Sequence, residues 1–285
     1  MKSHLKVLSI TAILMPLPLL AAKQNSEQVP DSVIEAQRAA LASNTAGQGF
    51  GPQSPRNIDD LSGQNQRIFA AAPHYSQMNL CNIHIHKNAE HQGGEFTVYA
   101  GNGDGKGYHS GYQYSGELSA KELTPTSKVV GGKKHSLQPG DTIEVHYVHS
   151  TAQVAPGPTL GSCLNDAIVN PQLRVETQVM VLVNDSDAED FMTLTALGQK
   201  NGYHQALNIP DTTGTPIEYA GSTTGPSYNE KASPLQVSWS VRPQVLKVDI
   251  HSLDAWLQDN PFDEDHAHGV RNLVTNPDLL SAGGQ

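Results

Sequence analysis

The strongest regular pattern along the chain is an alternation of apolar and polar side chains, which is typical of β-strands. It is clearest at residues 80–86, which read Leu-Cys-Asn-Ile-His-Ile-His, and at residues 142–149. Residues 95–99 follow as a possible return strand for the first segment. Three later segments have the same β character, at residues 175–183, 234–241 and 245–250. The pattern predicts a mainly β, single domain built on a central twisted, mostly antiparallel sheet.

Helical patterns are few and short. Ser32 and Glu35 have the spacing of a capping box, and they predict a helix that continues to about Leu41. Residues 252–257 predict a single helical turn. The domain should therefore carry only a few short helices.

The first 22 residues differ from the rest of the chain. A charged start precedes an almost continuous apolar run at residues 7–20, which predicts a secretory signal peptide at residues 1–22. A membrane anchor is the alternative, but the run is shorter than the roughly 20 residues that a bilayer span needs. We expect a periplasmic or secreted chain without a membrane span, with a polar, partly helical segment at residues 23–50 and the domain at residues 51–285.

Composition narrows the classes of partner. The chain has 18 basic and 28 acidic residues and a formal net charge of −10. Loss of the expected signal peptide would remove two lysines and lower the charge to −12. Because phosphate neutralisation provides much of the affinity for nucleic acids, an acidic chain without a basic stripe is not expected to bind them. Composition leaves the oligomeric state open.

The chain has two cysteines, Cys81 and Cys163. An even number of cysteines in an exported protein predicts a disulfide. This disulfide would close a loop of about 80 residues, which the chain-entropy model values at on the order of 4–5 kcal/mol. Zinc ligation is the alternative, although structural zinc sites usually use closely spaced cysteines.

Two histidines lie on one face of the first strand. Alternation places the even-numbered residues of 80–86 on one face and Cys81 with the other odd-numbered residues on the opposite face. His84 and His86 then stand close enough to bind one metal ion. A single histidine in a strand is more often structural, so the pair needs support from elsewhere in the chain.

The second strand provides that support. Glu144, His146 and Val148 share a face, and His146 completes a three-histidine site if the two strands are neighbours. A catalytic zinc ion has three protein ligands and one open position. Asn82 and Glu144, each two residues before a histidine, are expected to hold the imidazole N–H groups. The sequence thus predicts a catalytic Zn²⁺ ion.

Five segments together resemble carbonic anhydrases. Residues 82–91 and 144–149 are similar to the metal-site strands of these enzymes, and residues 81–94 resemble the delta class in particular. Three further segments are similar to alpha-class signatures, namely Gln-Ser-Pro-Arg-Asn-Ile at 53–58, Gly-Ser-Thr-Thr-Gly-Pro at 221–226 and Val-Ser-Trp at 237–239.

The resemblance implies an alpha-carbonic-anhydrase-like fold and the reversible hydration of carbon dioxide to bicarbonate and a proton, through zinc-bound hydroxide. It implies that Thr224 orients the hydroxide, that Glu90 holds the Thr224 hydroxyl, and that Val148 and Trp239 line the carbon dioxide pocket. The segment before Glu90 is shorter than in the alpha class, and Thr223 stands where that class has a leucine. The choice between the two threonines therefore stays open.

Rapid turnover would also require a group that carries protons to buffer, and histidine suits this role because its pKa lies near neutrality. His74 and His109 flank the first metal strand in the sequence and are candidates for the proton shuttle, with ordinary exposed histidines as the alternative.

Two other functions fit part of the pattern. A cupin-like metalloenzyme such as a dioxygenase also uses His-x-His followed by glutamate, as His86 and Glu90 do. However, the gap from Gly140 to His146 is too long for the second cupin motif. The other alternative is a non-catalytic exported zinc-binding β domain.

Three polar segments are expected to be loops. Residues 185–190 resemble the start of a calcium loop but lack its glycine. Residues 263–268 are a polar loop, with a weak secondary metal site as the alternative. Residues 101–107 are rich in glycine and predict a hairpin connection.

Overall fold

The computed structural model describes residues 28–132 and 135–283. The expected signal peptide at residues 1–22 lies outside the described residues, and the predicted domain boundary at residue 51 stays a prediction. Within the described ranges, no helix is both long enough and apolar enough to cross a membrane.

The strands confirm the mainly β prediction. In chain order they are β1 (Asn79–Lys87), β2 (Val98–Tyr99), β3 (Tyr112–Gln113), β4 (Thr142–Ser150), β5 (Leu173–Val183), β6 (Leu197–Lys200), β7 (Tyr203–Ala206), β8 (Ile217–Ser222), β9 (Gln236–Val241) and β10 (Leu246–Asp249). β3, β6, β7 and β8 are additional to the predicted strands.

One mixed sheet holds most of these strands, in the order β1-β4-β5-β9-β8. The pairs β1–β4, β4–β5 and β8–β9 are antiparallel. The long strand β5 has two parallel neighbours along its other edge, β9 beside its first half and β10 beside its last residues. β1 and β4, which carry the three histidines, are therefore adjacent at one end of the sheet.

The helices are α1 (Asp31–Thr45), α2 (Phe191–Leu194) and α3 (Ile250–Gln258). The predicted capping box at the start of α1 was wrong, because the helix begins before Ser32. Pro30 is the N-cap residue and makes no side-chain cap. Proline suits this end of a helix, since the first backbone N–H groups have no partner within the helix.

The predicted return strand at residues 95–99 was also wrong. Only β2 forms there, and it pairs with β3 rather than with β1. The free edge of β1 is instead covered by the chain around His268, which donates its N–H to the Ile85 carbonyl and accepts from the Lys87 N–H. Residues 101–107 lie in the connection of the β2–β3 hairpin, as expected.

A bulge in β1 corrects the predicted alternation. Leu80 pairs with His149 and Asn82 with Val148, so Cys81 is an extra residue without a partner in β4. Leu80 therefore joins the cluster that contains Ile83 and Ile85, and Cys81 faces the side of the predicted pocket. Beyond the bulge, alternation holds and the histidines share a face.

The two faces of the sheet bury two apolar clusters. One contains Ile83 and Ile85 and packs against α3 through Trp256. The other lies on the histidine side and contains Val148 and Trp239. Burial of each such large apolar side chain contributes roughly 1.5–3 kcal/mol to folding, so the strands that carry the histidines are anchored from both faces.

The predicted disulfide between Cys81 and Cys163 is confirmed, with a Cα–Cα distance of 5.0 Å. Cys163 ends a short 3₁₀ turn, Leu160–Cys163. Both cysteines are buried in the apolar cluster on the histidine side. The disulfide therefore joins this turn to the bulge of β1.

Candidate metal centre

The three predicted histidines converge. His84 on β1 lies directly opposite His146 on β4, and His86 is two residues further along β1. The centroids of the three imidazole rings are 4.7 to 5.1 Å apart. One nitrogen of each ring lies within 4.8 Å of the others, which is close enough for all three to bind a single ion.

Hydrogen bonds fix which nitrogen of each β1 histidine faces the cluster. His84 donates from Nδ1 to the side-chain oxygen of Asn82 at 2.7 Å, and Asn82 donates in turn to the Gly157 carbonyl at 3.1 Å. His86 donates from Nδ1 to the Gly269 carbonyl at 2.9 Å. In both rings Nε2 is then left with a lone pair.

Glu144 performs the same task for His146. Its Oε1 accepts from His146 Nε2 at 2.6 Å and from His91 Nδ1 at 2.8 Å. Tyr219 donates to the other nitrogen of His91 at 2.7 Å. Burial alone would raise the pKa of Glu144, but the charges and hydrogen bonds of the two histidines outweigh it and hold that pKa well below its ordinary value.

The geometry fits a cation between the three histidines. His84 Nε2 and His146 Nδ1 are 3.1 Å apart. Each ring donates a hydrogen bond from its other nitrogen, so these two nitrogens face each other with their lone pairs. His86 Nε2 is buried, and no residue that the structure describes forms a hydrogen bond with it. Two ligand nitrogens on one tetrahedral zinc ion, with bonds of about 2.0–2.1 Å, are separated by about 3.3 Å. A cation would satisfy lone pairs that otherwise face one another.

A second buried group, formed by His91, Glu144 and His146, also meets the distance criterion for a metal site. Its members are already joined by hydrogen bonds of 2.6 and 2.8 Å between imidazole nitrogens and a carboxylate oxygen. Each of these bonds has a donor and an acceptor, so this group needs no ion. It positions His146 instead.

The β1 histidines also have the protonation state that a ligand needs. Burial, followed by the neighbouring imidazoles, lowers the pKa of His84 well below its ordinary value. Burial lowers the pKa of His86 to about 4, even though Glu90 opposes the shift. Both rings are therefore neutral near pH 7, and neutral imidazole is the form that binds metals.

A small apolar cleft that opens to solvent adjoins the three imidazoles. Its remaining lining is mostly apolar and consists of Val148, Leu160, Leu173, Val175, Val237 and Trp239 together with Thr223 and Thr224. The predicted pocket residues Val148 and Trp239 thus do lie beside the histidines. The Trp239 ring centroid is 5.1 Å from that of His146.

The two threonines differ in their surroundings. Thr223 is buried and shares a hydrogen bond with the Ser233 hydroxyl. Thr224 is partly exposed in the cleft, and its hydroxyl makes no hydrogen bond to any other residue that the structure describes. This contrast favours Thr224 as the residue with a hydroxyl available to a substrate or water.

Glu90 is buried beside His86, with Oε1 3.4 Å from His86 Nδ1. The same oxygen accepts from the Arg271 N–H at 3.2 Å, and Oε2 has no partner within the described part of the chain. No Glu90–Thr224 hydrogen bond is present among these residues, so the predicted role of Glu90 stays a prediction. Glu90 approaches Nδ1 of His86, whereas it is Nε2 of His86 that converges with the other two imidazoles. Glu90 is therefore outside the group of converging ligand atoms, to which a cupin glutamate would belong.

The two candidate proton shuttles do not lie in the cleft. His74 is exposed, caps a 3₁₀ turn (Tyr75–Gln77) and contacts Ser76 and Tyr75. His109 is exposed in the β2–β3 connection with a positive φ of 63°. Neither belongs to the lining of the cleft.

His268 lies close to the site instead. Its ring centroid is 6.2 Å from that of His84 and 6.1 Å from that of His86. It donates from Nε2 to Glu264 at 2.8 Å, and this hydrogen bond raises the pKa of His268. The polar composition of residues 263–268 was visible in the sequence, but nothing there indicated that the segment lies against β1.

The segment at residues 53–58 supports the cleft from behind. The Ser54 hydroxyl accepts from Trp239 Nε1 and from the Ser222 N–H, both at 2.9 Å, and donates to the Ser222 carbonyl at 2.6 Å. Ser54 thus fastens the tryptophan to the residue that precedes the two threonines. The sequence motif contained Ser54, but its spacing alone could not reveal these partners.

Comparison with known proteins gives a family match. A sequence model of delta carbonic anhydrases matches residues 75–252. The structure is similar to a hyperthermostable carbonic anhydrase identified from an active hydrothermal vent chimney, with 12% identity over 83% of this chain and 89% of that chain, at a TM-score of 0.28. It is also similar to a Photobacterium profundum alpha-carbonic anhydrase, with 15% identity over 84% of this chain and 93% of that chain, at a TM-score of 0.27. No curated protein matches the chain.

Proposed function

The chain belongs to the delta carbonic anhydrase family, and on that premise we propose that it catalyses the zinc-dependent, reversible hydration of carbon dioxide to bicarbonate and a proton. One observation carries the proposal. Three imidazole lone pairs converge beside a small apolar cleft.

Zinc is the metal that the donor set favours. Three imidazoles without a carboxylate leave one tetrahedral position open, which is typical of catalytic zinc sites. Zn²⁺ is a Lewis acid that makes water a nucleophile at neutral pH, which is the established chemistry of carbonic anhydrases. His84 and His86 would bind it through Nε2 and His146 through Nδ1.

The surrounding residues keep the ligands oriented. Asn82, the Gly269 carbonyl and Glu144 each accept the N–H of one histidine, at 2.7, 2.9 and 2.6 Å. These acceptors fix the tautomer and the rotation of each ring, and they increase the basicity of the nitrogen that faces the metal. The residues that hold the site are thus supplied by β1, by β4 and by the chain beside β1.

The cleft supplies the binding surface for carbon dioxide. Val148 and Trp239 present apolar surface next to the histidines, which suits a substrate without charge or hydrogen-bond donors. We assign to Thr224 the hydroxyl that would accept a hydrogen bond from the O–H of the attacking group and so direct the lone pair of that oxygen at the substrate. Thr223 instead holds the loop through Ser233.

The test is stopped-flow measurement of carbon dioxide hydration by the purified, zinc-loaded chain, with zinc content measured on the same sample. We expect one zinc per chain and hydration far above the buffer blank. His146→Ala should lose both zinc and activity. His149→Gln is the matched control, because His149 is also buried on β4 but does not belong to the converging set.

Each outcome separates the alternatives. A chain that binds one zinc but hydrates carbon dioxide no faster than buffer would be a non-catalytic zinc-binding domain. Iron or manganese in place of zinc would favour a cupin-like enzyme. Unchanged zinc content in His146→Ala would mean that the ligands are misassigned.

We also propose that the chain is exported, to the periplasm or the medium. The buried disulfide supports this, since disulfides persist mainly in oxidising compartments. Intact-mass analysis of protein from each cell fraction tests the proposal. The expected species begins at Lys23 and carries the disulfide, whereas a reduced chain that retains residues 1–22 in the cytosol would contradict it.

A further inference from the structure

A small part of its lining forms the mouth of the cleft. Among the residues around the cleft, His84, Leu160 and Thr224 are partly exposed, whereas the others are buried. His84 belongs to the converging histidines, and Thr224 carries the hydroxyl assigned above. Leu160 is therefore the apolar side chain that borders the opening, and it stands where a substrate would enter.

The segment that carries Leu160 is fastened to β1 on both sides of this residue. Before it, the Gly157 N–H donates to the Cys81 carbonyl at 3.0 Å, and the Asn82 side chain donates to the Gly157 carbonyl at 3.1 Å. After it, Cys163 forms the disulfide with Cys81. Both ends of the segment are thus held at the bulge of β1.

Residues 157–163, the rim segment, are also held from within. Thr159 has a positive φ of 57°, in the left-handed region that favours glycine, and its hydroxyl accepts from the Gly161 N–H at 3.1 Å. The Ser162 hydroxyl donates to the Pro158 carbonyl at 2.7 Å. A residue other than glycine keeps such a backbone conformation only where the surrounding structure determines it. The segment therefore presents a fixed rim to the cleft.

The opening beside this rim suits a compact substrate. Leu160 packs against the apolar cluster that contains Val148 and Trp239, so its side chain cannot leave the mouth without exposing apolar surface to water. Carbon dioxide is linear and triatomic, whereas an aldehyde carries an alkyl substituent on the carbon atom that is attacked. That substituent would have to occupy the mouth that Leu160 narrows.

We propose that Leu160 determines the size of the substrate at this site, an inference that rests on the proposed function. The rim segment holds the leucine so that the cleft admits carbon dioxide and excludes carbonyl compounds with an alkyl substituent. An apolar pocket distinguishes ligands that differ by one methylene group by about 10–200-fold. A single leucine side chain at a fixed rim is therefore sufficient for this selectivity.

The test measures ligand binding rather than turnover. It uses the full chain loaded with cobalt(II), whose visible spectrum changes when a ligand enters the coordination shell of the metal. Formate and butanoate both bind a metal through a carboxylate oxygen, but only butanoate places an alkyl chain in the cleft. The ratio of the butanoate Kd to the formate Kd should fall about tenfold or more in Leu160→Ala. Leu160→Met should keep the wild-type ratio, because it nearly conserves the volume of the side chain.

Leu164→Ala is the matched control. Leu164 directly follows the rim segment and is also a partly exposed leucine, but it does not line the cleft. Its replacement should leave the ratio of the two Kd values unchanged. An unchanged ratio in Leu160→Ala, or an equal fall in Leu164→Ala, would overturn the role of Leu160.

Stopped-flow hydration of carbon dioxide by the zinc-loaded wild-type chain separates this inference from the proposed function. If the Kd ratio falls in Leu160→Ala but the wild-type chain does not hydrate carbon dioxide, the proposed function is wrong and Leu160 still limits the size of the ligand. If the chain hydrates carbon dioxide and the ratio does not change, only the role of Leu160 is refuted.

Discussion

Removal of the Cys81–Cys163 disulfide should destabilise the fold by a calculable amount. The cysteines are 82 residues apart. The chain-entropy expression gives about 15 cal/mol/K for a loop of this length, or about 4.5 kcal/mol at 25 °C. Both sulfur atoms are buried in the apolar cluster on the histidine side, so replacement by alanine would add a packing loss that reduction of the wild-type chain avoids.

Urea unfolding followed by tryptophan fluorescence measures this effect, because both tryptophans, Trp239 and Trp256, are buried. Reduced wild-type chain should unfold with a free energy about 4–5 kcal/mol lower than the oxidised chain at equal zinc occupancy. Cys81→Ala/Cys163→Ala should lose at least as much. A difference below about 1 kcal/mol between the oxidised and reduced chains would refute the loop-entropy account.

Three further predictions concern the site and its strand. Glu144→Gln should weaken zinc affinity by about 10–100-fold, because an amide is a poorer acceptor for two imidazole N–H groups; chelator competition that gives an unchanged affinity would contradict this. Thr224→Val should slow hydration without loss of zinc, whereas Thr223→Val should mainly reduce the free energy of unfolding; the opposite result in stopped-flow and urea assays would reverse their roles. Burial lowers the pKa of His149 to about 3, so below about pH 6.5 the unfolded chain binds more protons at this residue than the folded chain does. The contribution of neutral His149 to the free energy of unfolding is complete above about pH 6.5 and should fall by about 2 kcal/mol between pH 7 and pH 5. His149→Gln should remove that part of the pH dependence, and an identical slope in both proteins would disprove it.

The strands that carry the histidines were predictable because their patterns are strong. Alternation placed His84 and His86 on one face, and that alternation depends only on the geometry of a single strand. The prediction assumed that β4 lies next to β1, because the alternation within each strand does not show which strands are neighbours. The register His84 opposite His146 follows from the tertiary pairing.

The bulge at Cys81 shows where local patterns fail. Nothing in the residues around Cys81 indicates an extra residue, because the apolar and polar order reads as a regular strand on both sides of it. The bulge becomes clear only when β1 is aligned with β4. The disulfide was predicted correctly, although Cys81 faces the side opposite to the predicted one.

Contacts between distant loops account for what the sequence could not predict. His91 supports Glu144 on the neighbouring strand, and the Gly269 carbonyl holds His86 from 183 residues away. The sequence predicts only a polar loop around His268, because the position of His268 beside β1 depends on how the chain returns after α3. Such contacts join residues that are related neither by the periodicity of a strand or helix nor by a short sequence motif.

The most direct test of the central claim is an anomalous difference map from crystals of the zinc-loaded chain, measured at the zinc absorption edge. We expect one strong peak bonded to His84 Nε2, His86 Nε2 and His146 Nδ1 at about 2.0–2.1 Å, with a fourth position open to water. A peak at another place, or a zinc ion that His146 does not bind, would contradict the claim that these three imidazoles form the catalytic metal site.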